Sequence, residues 1–238
     1  TVIKIMKDYK DVNSLTKLIM DYPQFQRVAW INLAMRLIYG TGSETLAFRA
    51  AEDLGWKGPD HYIAPFAAGL SAKCAYQGFL RLQKFGLVND FTTRMHISQP
   101  STCNTIVPDG KGEHSYMVVV VEKPKSLAET LCVGDPSNGE DVIKMLKDTQ
   151  GFAVPVTEDG IKRGMDIFHE NTPFGTGYVG AVVVEATRLL RERGVIRPKD
   201  TIVLAITDGK YPNREYALPD GIKKGRLITL SPEEATTK

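Results

Sequence analysis

The stretch that decides the fold is Thr201-Ile-Val-Leu-Ala-Ile-Thr-Asp-Gly-Lys210, in a chain of 238 residues. Its unbroken apolar run predicts a strand buried in a parallel sheet. The run stops at Thr207-Asp208-Gly209, where a hydroxyl, a carboxylate and a flexible backbone follow one another. Open α/β sheets bind ligands at the carboxyl ends of their strands, so we expect this last core strand to end inside a binding site.

The composition is that of an ordinary globular protein. Hydrophobic residues make up 42% of the chain and charged residues 24%, and 30 basic against 28 acidic residues leave a formal charge of +2. So balanced a charge argues against nucleic acid or a membrane surface as a partner. The longest apolar stretch, residues 116–121, has the length of a strand and is far short of the ~20 residues that span a bilayer. No signal-peptide pattern is present at the start of the sequence, and the cytoplasmic location that we expect rests on cysteine usage.

Cysteine and histidine spacing gives no metal signature. Cys74, Cys103 and Cys132 are odd in number and share no short spacing, which fits a reducing compartment and small buried side chains. The four histidines lie far apart, and the sequence contains no HExxH, no Walker motif and no GxGxxG after a strand. The commonest metal and nucleotide signatures are therefore excluded.

Predicted strands and helices alternate along the chain. The strands are expected at residues 2–5, 28–31, 61–65, 95–98, 115–121, 152–155 and 201–207. The helices are expected around residues 11–20, 44–54 and 71–86, after residue 139, and over residues 157–168 and 179–193. A Gly-rich turn at residues 40–44 would precede the second helix, with Ser43 as its N-cap and Leu46, Ala47, Ala50 and Leu54 on one face. This alternation predicts a mostly parallel sheet covered on both faces, a three-layer α/β fold.

Two strand-to-helix turns have the small residues that an anion site needs. In Phe66-Ala-Ala-Gly-Leu-Ser71, backbone N–H groups could approach a phosphate at the start of the following helix. The turn at residues 134–139 is also rich in turn-forming residues. A tight turn that uses Gly69 and an ordinary surface loop remain the alternatives.

Several segments, in order, resemble threonine synthase. They are Gly42-Ser-Glu-Thr-Leu-Ala-Phe-Arg-Ala-Ala-Glu-Asp-Leu-Gly-Trp56, Glu129-Thr-Leu-Cys-Val-Gly-Asp-Pro-Ser-Asn-Gly139 and the segment from Arg193 to Lys210. The segment Pro59-Asp-His-Tyr62 is also similar to cysteate synthase. The resemblance implies the fold-type II pyridoxal-phosphate architecture of the tryptophan synthase β family. It also implies a remainder of a small domain at residues 1–40 and a large cofactor-binding domain at residues 41–238.

The same resemblance implies a cofactor site for pyridoxal 5'-phosphate. The hydroxyl that meets the pyridine nitrogen corresponds to Thr207, where a neutral group suits elimination and replacement chemistry; the alternative is that Thr207 satisfies a strand-end backbone group. In this chain alanine and leucine replace most glycines of the family's phosphate loop, which narrows the backbone approach. The phosphate loop corresponds to Ala67, Ala68, Gly69, Leu70 and Ser71.

An amino-acid substrate is implied as well. The family's substrate-phosphate segment falls near Trp30-Ile-Asn-Leu-Ala-Met-Arg36, where Asn32 and Arg36 match in kind and the family's serine is missing. A solvated charge at a helix end is the alternative for Arg36.

The segment that carries the family's Schiff-base lysine has no counterpart in this sequence. Lys73 and Lys210 are the only lysines near the inferred site, and a Schiff-base lysine is normally required to carry this cofactor. The chain, which starts at Thr1, is expected to be the carboxyl-terminal part of a longer enzyme. Its amino-terminal half or a second polypeptide would complete it, and a homo-oligomer is expected. Two functions stay open: part of a threonine synthase-like lyase, or a non-catalytic relative that binds a ligand or partner.

Overall fold

The computed structural model describes residues 2–5, 37–88, 91–208 and 227–230, which fall into two compact units. In one unit, strand β1 (Val2–Ile5) pairs in parallel with strand β8 (Leu227–Leu230). The other unit contains residues 37–208. The strand predicted at residues 2–5 is confirmed, whereas the helix at 11–20 and the strand at 28–31 lie outside the described residues. The domain boundary between residues 40 and 41 stays a prediction.

A four-stranded parallel sheet forms the core of the larger unit. The strands of this sheet are β2 (His61–Pro65), β3 (Arg94–Pro100), β6 (Ala153–Val156) and β7 (Ile202–Leu204). Their order in the sheet is β6-β3-β2-β7, and every neighbouring pair is parallel. All residues of β2 are buried, because the strand has a neighbour on each side and helices on each face. The predicted mostly parallel α/β sheet is confirmed.

Helices cover both faces of this sheet, which gives the three expected layers. Tyr62 and Ala64 of β2 point to one core cluster and Ile63 points to the other, as the alternation of a strand requires. The first cluster packs against helices α2 (Thr45–Asp53), α3 (Leu70–Lys84) and α4 (Gly139–Thr149). The second packs against α5 (Glu158–Asn171) and α6 (Tyr178–Glu192). No helix in the described part of the chain is long and apolar enough to cross a bilayer.

The strand at residues 201–207 was predicted correctly to be parallel to its neighbour, but the prediction that it is buried was wrong. β7 is parallel to β2, but among the described residues it is an edge strand of the sheet, and its side chains are half-buried. It is the last described strand of this sheet along the chain, as expected, since β8 belongs to the other unit. An apolar run does not reveal how many neighbours a strand has, and neighbours decide burial.

The longest apolar stretch does not enter the parallel sheet. Only Tyr116–Val118 forms a strand, β5, which pairs antiparallel with β4 (Ile106–Pro108). Met117 and Val120 are exposed. The predicted strand at residues 115–121 was therefore too long, and its apolar composition reflects a partly exposed hairpin.

The predicted start of the second helix was wrong. Residues 40–43 belong to helix α1 (Leu37–Ser43), and α2 begins after Glu44, not Ser43. The carboxylate of Glu44 is buried and forms an ion pair with Arg81 of α3, with Nε–Oε2 at 2.8 Å. This tertiary contact holds the junction in a helical conformation that turn propensity alone does not predict.

The predicted apolar face of α2 was also wrong in part. Ala47 and Ala51 are fully buried, whereas Leu46 is exposed. The small residues face α3, where Gly78 lets the helices approach: a Cβ there would lie 2.8 Å from Ala47 Cβ. Close helix packing selects the small side chains over the larger leucine.

Candidate functional site

The loop between β2 and α3 is shaped by Gly69, which is the N-cap of the helix. Its φ of +89° lies in the left-handed region that favours glycine. A Cβ at this position would lie 3.0 Å from both Phe66 Cε2 and Val142 Cγ2. Gly69 is therefore required both for its conformation and for its space, and the tight turn predicted from the sequence is present.

The backbone N–H groups of residues 67–72 donate to no acceptor among the residues that the structure describes. The first amide of α3 that does so is that of Lys73, which donates to the Gly69 carbonyl at 3.1 Å. The first turn of this helix contains no acidic residue. Free amides and the positive end of the helix dipole coincide here, an arrangement that binds anions.

Ser71 adds a side-chain donor to these amides. Its Oγ is enclosed and has no hydrogen-bond partner in the described structure. An enclosed hydroxyl without a partner destabilises the protein by about 1–3 kcal/mol, a cost that an oxygen atom of a ligand would remove.

Leu70 does not obstruct the amides. Its Cδ1 lies 3.7 Å from the position that a Cβ on Gly40 would occupy, so its side chain packs towards α1. Although a leucine in a phosphate loop is unfavourable by sequence, its backbone amide stays available because the side chain turns to a neighbouring helix.

The turn at residues 134–139 supports the loop at residues 66–71. Asn138, the N-cap of α4, donates from its backbone N (3.0 Å) and its Nδ2 (3.1 Å) to the carbonyl of Ala68. Lys73 Nζ donates to Asn138 Oδ1 at 3.3 Å and forms an ion pair with Asp141 at 2.6 Å. These contacts fix the loop at residues 66–71 from the neighbouring helix, so the two turns form one structure rather than two separate anion sites.

Thr207 leaves the same edge of the sheet as this loop. The Ala205 amide still donates to the Ile63 carbonyl of β2 at 2.9 Å. Adjacent parallel strands lie about 4.8 Å apart, so residues 206–208 emerge beside the loop that begins at Phe66. Thr207 is exposed, and its hydroxyl has no hydrogen bond within the described structure. The alternative in which this hydroxyl satisfies a strand-end backbone group is not observed among these residues.

A buried histidine relay lies towards the opposite end of the sheet. The Phe152 amide donates to His96 Nδ1 (3.1 Å), which leaves the proton of His96 on Nε2 for His61 Nδ1 (3.0 Å). His61 Nε2 then donates to Asp200 at 3.1 Å. Burial lowers the pKa of His96 to about 3 and lowers that of His61 as well. Since ligands bind at the carboxyl edge, we assign these histidines to stability.

The remaining predicted substrate residues, Asn32 and Arg36, lie outside the described residues, as do Gly209 and Lys210. Within the described ranges, no group of three or more His, Cys, Asp or Glu side chains is placed to hold a metal ion.

Sequence reasoning missed Asn138 and Asp141. The position of Asn138 before Gly139 and a helix is typical of an N-cap, so its place at the start of α4 was detectable. Its bonds to Ala68, which lies 70 positions away, have no sequence signal.

The sheet and its order define an α/β protein, and the amides at its carboxyl edge have the arrangement of an anion site. Residues 1–208 match the family described as "Pyridoxal-phosphate dependent enzyme". The chain belongs to this family, whose cofactor is pyridoxal phosphate.

Named relatives and a solved structure agree with this assignment. The chain is 23% identical to threonine synthase of Methanosarcina acetivorans over 70% of this chain and 40% of the relative. It is 26% identical to cysteate synthase of Methanoregula boonei over 71% of this chain and 42% of the relative. The structure of Escherichia coli threonine synthase superposes with a TM-score of 0.66 at 14% identity, covering 98% of this chain and 56% of the other. The chain thus spans about two fifths of the length of these curated relatives, and the solved structure confirms the fold.

Proposed function

We propose that this chain binds pyridoxal phosphate at the carboxyl edge of its sheet. The amides of residues 67–72 would hold its phosphate, and the hydroxyl of Thr207 would contact its pyridine nitrogen. The observation that carries this proposal is the run of unpartnered amides at the start of α3 beside the unpartnered Ser71 Oγ. A phosphate needs several donors at once, and its oxygen atoms match this donor set.

The chain's own residues bind and orient the cofactor. The amides and Ser71 donate to the phosphate, while Asn138 holds the loop in place through Ala68. Lys73 adds positive charge one turn into the helix. Thr207 donates a hydrogen bond to the ring nitrogen and, being neutral, leaves that nitrogen unprotonated. When bound, the cofactor supplies an electron sink for reactions at an amino acid.

The enzyme that contains this chain carries out elimination or replacement on an amino-acid substrate. The named relatives, threonine synthase and cysteate synthase, support this class. Asn32 and Arg36 would bind the substrate, and the amino-terminal half or a second polypeptide would supply the lysine. A cytoplasmic location and a homo-oligomer complete the proposal.

A second candidate, a ligand-binding relative without catalysis, is favoured by one contact. Lys73, the lysine nearest the phosphate loop, is held by Asp141 at 2.6 Å and by Asn138. An amine nitrogen engaged with a carboxylate and an amide oxygen is not available as a nucleophile. If Lys73 is the only lysine that reaches the cofactor, binding without catalysis follows.

Ser71→Ala tests the phosphate site through two effects of opposite direction. Loss of a hydroxyl that lacks a partner should leave the free protein unchanged or up to about 1 kcal/mol more stable. Loss of a donor to a charged oxygen should weaken pyridoxal phosphate binding by about tenfold or more. Equilibrium binding and chemical denaturation of the full chain measure both quantities.

Tyr76→Phe on the same helix is the matched control. The Tyr76 hydroxyl donates to Asp148 at 3.0 Å, remote from the start of the helix. Its removal should leave cofactor affinity unchanged. Equal affinity of wild type and Ser71→Ala, or no binding by the wild type, would contradict the proposed site.

A further inference from the structure

The carboxylate of Asp208, next to Thr207, is bound to the start of helix α6. Its Oδ2 accepts from the Val179 amide at 2.9 Å. Its Oδ1 accepts from the Gly180 amide at 2.9 Å and from the Thr176 hydroxyl at 3.1 Å. Two backbone amides and one hydroxyl thus hold a single side chain, and a carboxylate at a helix N-terminus is stabilised by the helix dipole.

Two glycines make room for this contact. A Cβ on Gly177 would lie 2.3 Å from Asp208 Oδ2. A Cβ on Gly180 would lie 2.0 Å from Thr176 Oγ1 and 2.9 Å from both Asp208 Oδ1 and Ile206 Cγ2. Since any side chain at either position would displace the carboxylate or its partners, the start of α6 is shaped to receive residues 206–208.

We propose that Asp208 is a positioning residue that holds Thr207 at the pyridine nitrogen, an inference that rests on the proposed cofactor site. Thr207 itself is exposed and lies beyond the last residue of an edge strand. Among the described residues, the last backbone bond from this segment to the sheet is that of the Ala205 amide to the Ile63 carbonyl. The three bonds of Asp208 provide an anchor beyond that point, so the backbone that carries Thr207 is held on both sides of this residue before a ligand arrives.

A different role for Asp208 is direct contact with the ring nitrogen. Such a carboxylate would stabilise a protonated ring nitrogen, the opposite of what the neutral Thr207 does. In the structure both oxygens are already bound to the start of α6. The Asp208 carboxylate is therefore bonded within the protein, and the Thr207 hydroxyl is the group that remains available to the ligand.

The test is a double-mutant cycle on cofactor affinity. Full-length wild type, Asp208→Asn, Thr207→Val and the double variant are titrated with pyridoxal phosphate and, separately, with inorganic phosphate. In Asp208→Asn an amide group faces a backbone N–H, so the anchor weakens while its size is kept. We expect each single variant to bind pyridoxal phosphate about tenfold more weakly, since one hydrogen bond is lost.

Three readouts separate positioning from general damage. Inorganic phosphate should bind all four proteins equally, because the phosphate loop is unchanged. The double variant should bind pyridoxal phosphate no more weakly than Thr207→Val, because Asp208 acts through Thr207. The ¹⁵N shift of the labelled ring nitrogen should move to the same value in Asp208→Asn and Thr207→Val.

Control variants keep the outcome decisive if Asp208→Asn folds poorly. Thr176→Val removes one donor from the anchor and should weaken pyridoxal phosphate binding by roughly threefold. Thr157→Ala removes the N-cap of α5, where the hydroxyl accepts from Gly160 at 3.1 Å, and should leave binding unchanged.

Additive effects of the two single variants would overturn the inference and favour direct contact of Asp208 with the ring. Unchanged affinity in Asp208→Asn and Thr176→Val would also overturn it while leaving the proposed function intact. Absence of binding by the wild type would overturn both.

Discussion

Gly69→Asp should weaken pyridoxal phosphate binding by this chain by about two orders of magnitude. A carboxylate would replace a hydrogen atom at the centre of the phosphate loop, where a Cβ would lie 3.0 Å from two neighbouring side chains. Two like unit charges ~4 Å apart repel by about 4 kcal/mol at an effective dielectric constant of 20. Affinity should therefore fall by about a hundredfold or more, since each 1.4 kcal/mol is tenfold. Equilibrium dialysis measures this loss.

Gly86→Asp is the matched control at the other end of the same helix. Gly86 also has a positive φ, +69°, but a Cβ there meets nothing within 4 Å. Both variants place aspartate in the left-handed region, at a cost of about 1–2 kcal/mol in stability. Only Gly69→Asp places the charge in the phosphate loop. Equal loss of binding in both variants, or retained binding in Gly69→Asp, would contradict the placement of the phosphate.

Acid should destabilise the protein through His96. Burial lowers its pKa from 6.5 to about 3, and His61, Arg94 and His114 around it add to this effect. A second proton would go to Nδ1, which already accepts from the Phe152 amide. Because the unfolded chain takes up this proton and the folded chain does not, stability is complete above pH 6.5 and falls as the pH drops towards 3. The loss should reach about 2 kcal/mol by roughly pH 5.

His96→Gln isolates this contribution. A glutamine can accept from the Phe152 amide and donate to His61, so the relay is kept without a group that titrates. Urea unfolding at pH values near 7 and 5 should show a smaller acid loss in the variant, by about 2 kcal/mol. The same acid loss in both proteins would show that His96 is not the group responsible.

Local sequence patterns predicted many of the helices and strands, because these patterns determine where such elements form. The helices predicted at residues 71–86, 157–168 and 179–193 are present as α3, α5 and α6, with ends that differ by one to three residues. The junction at Glu44 and the exposure of β7 could not be predicted, since a buried ion pair and the number of neighbouring strands decide them.

In the candidate site, too, the local sequence predicts some features and residues distant in sequence decide the others. The residue types of the loop at 66–71 indicated close backbone approach, and the structure leaves the amides of residues 67–72 without partners among the described residues. The direction of Leu70, the support from Asn138 and the anchor of Asp208 depend on residues far away in sequence. Tertiary packing places these groups, and local propensity does not carry that information.

The central claim is that the start of α3 binds the phosphate of pyridoxal phosphate. The most direct measurement is a ¹H–¹⁵N NMR titration of the full, ¹⁵N-labelled chain with pyridoxal phosphate. We predict saturable shifts of the amide signals of residues 67–72, whose N–H groups donate to no acceptor in the described protein and would donate to the phosphate. Saturable binding that leaves these signals unmoved, or no binding at all, would contradict the account.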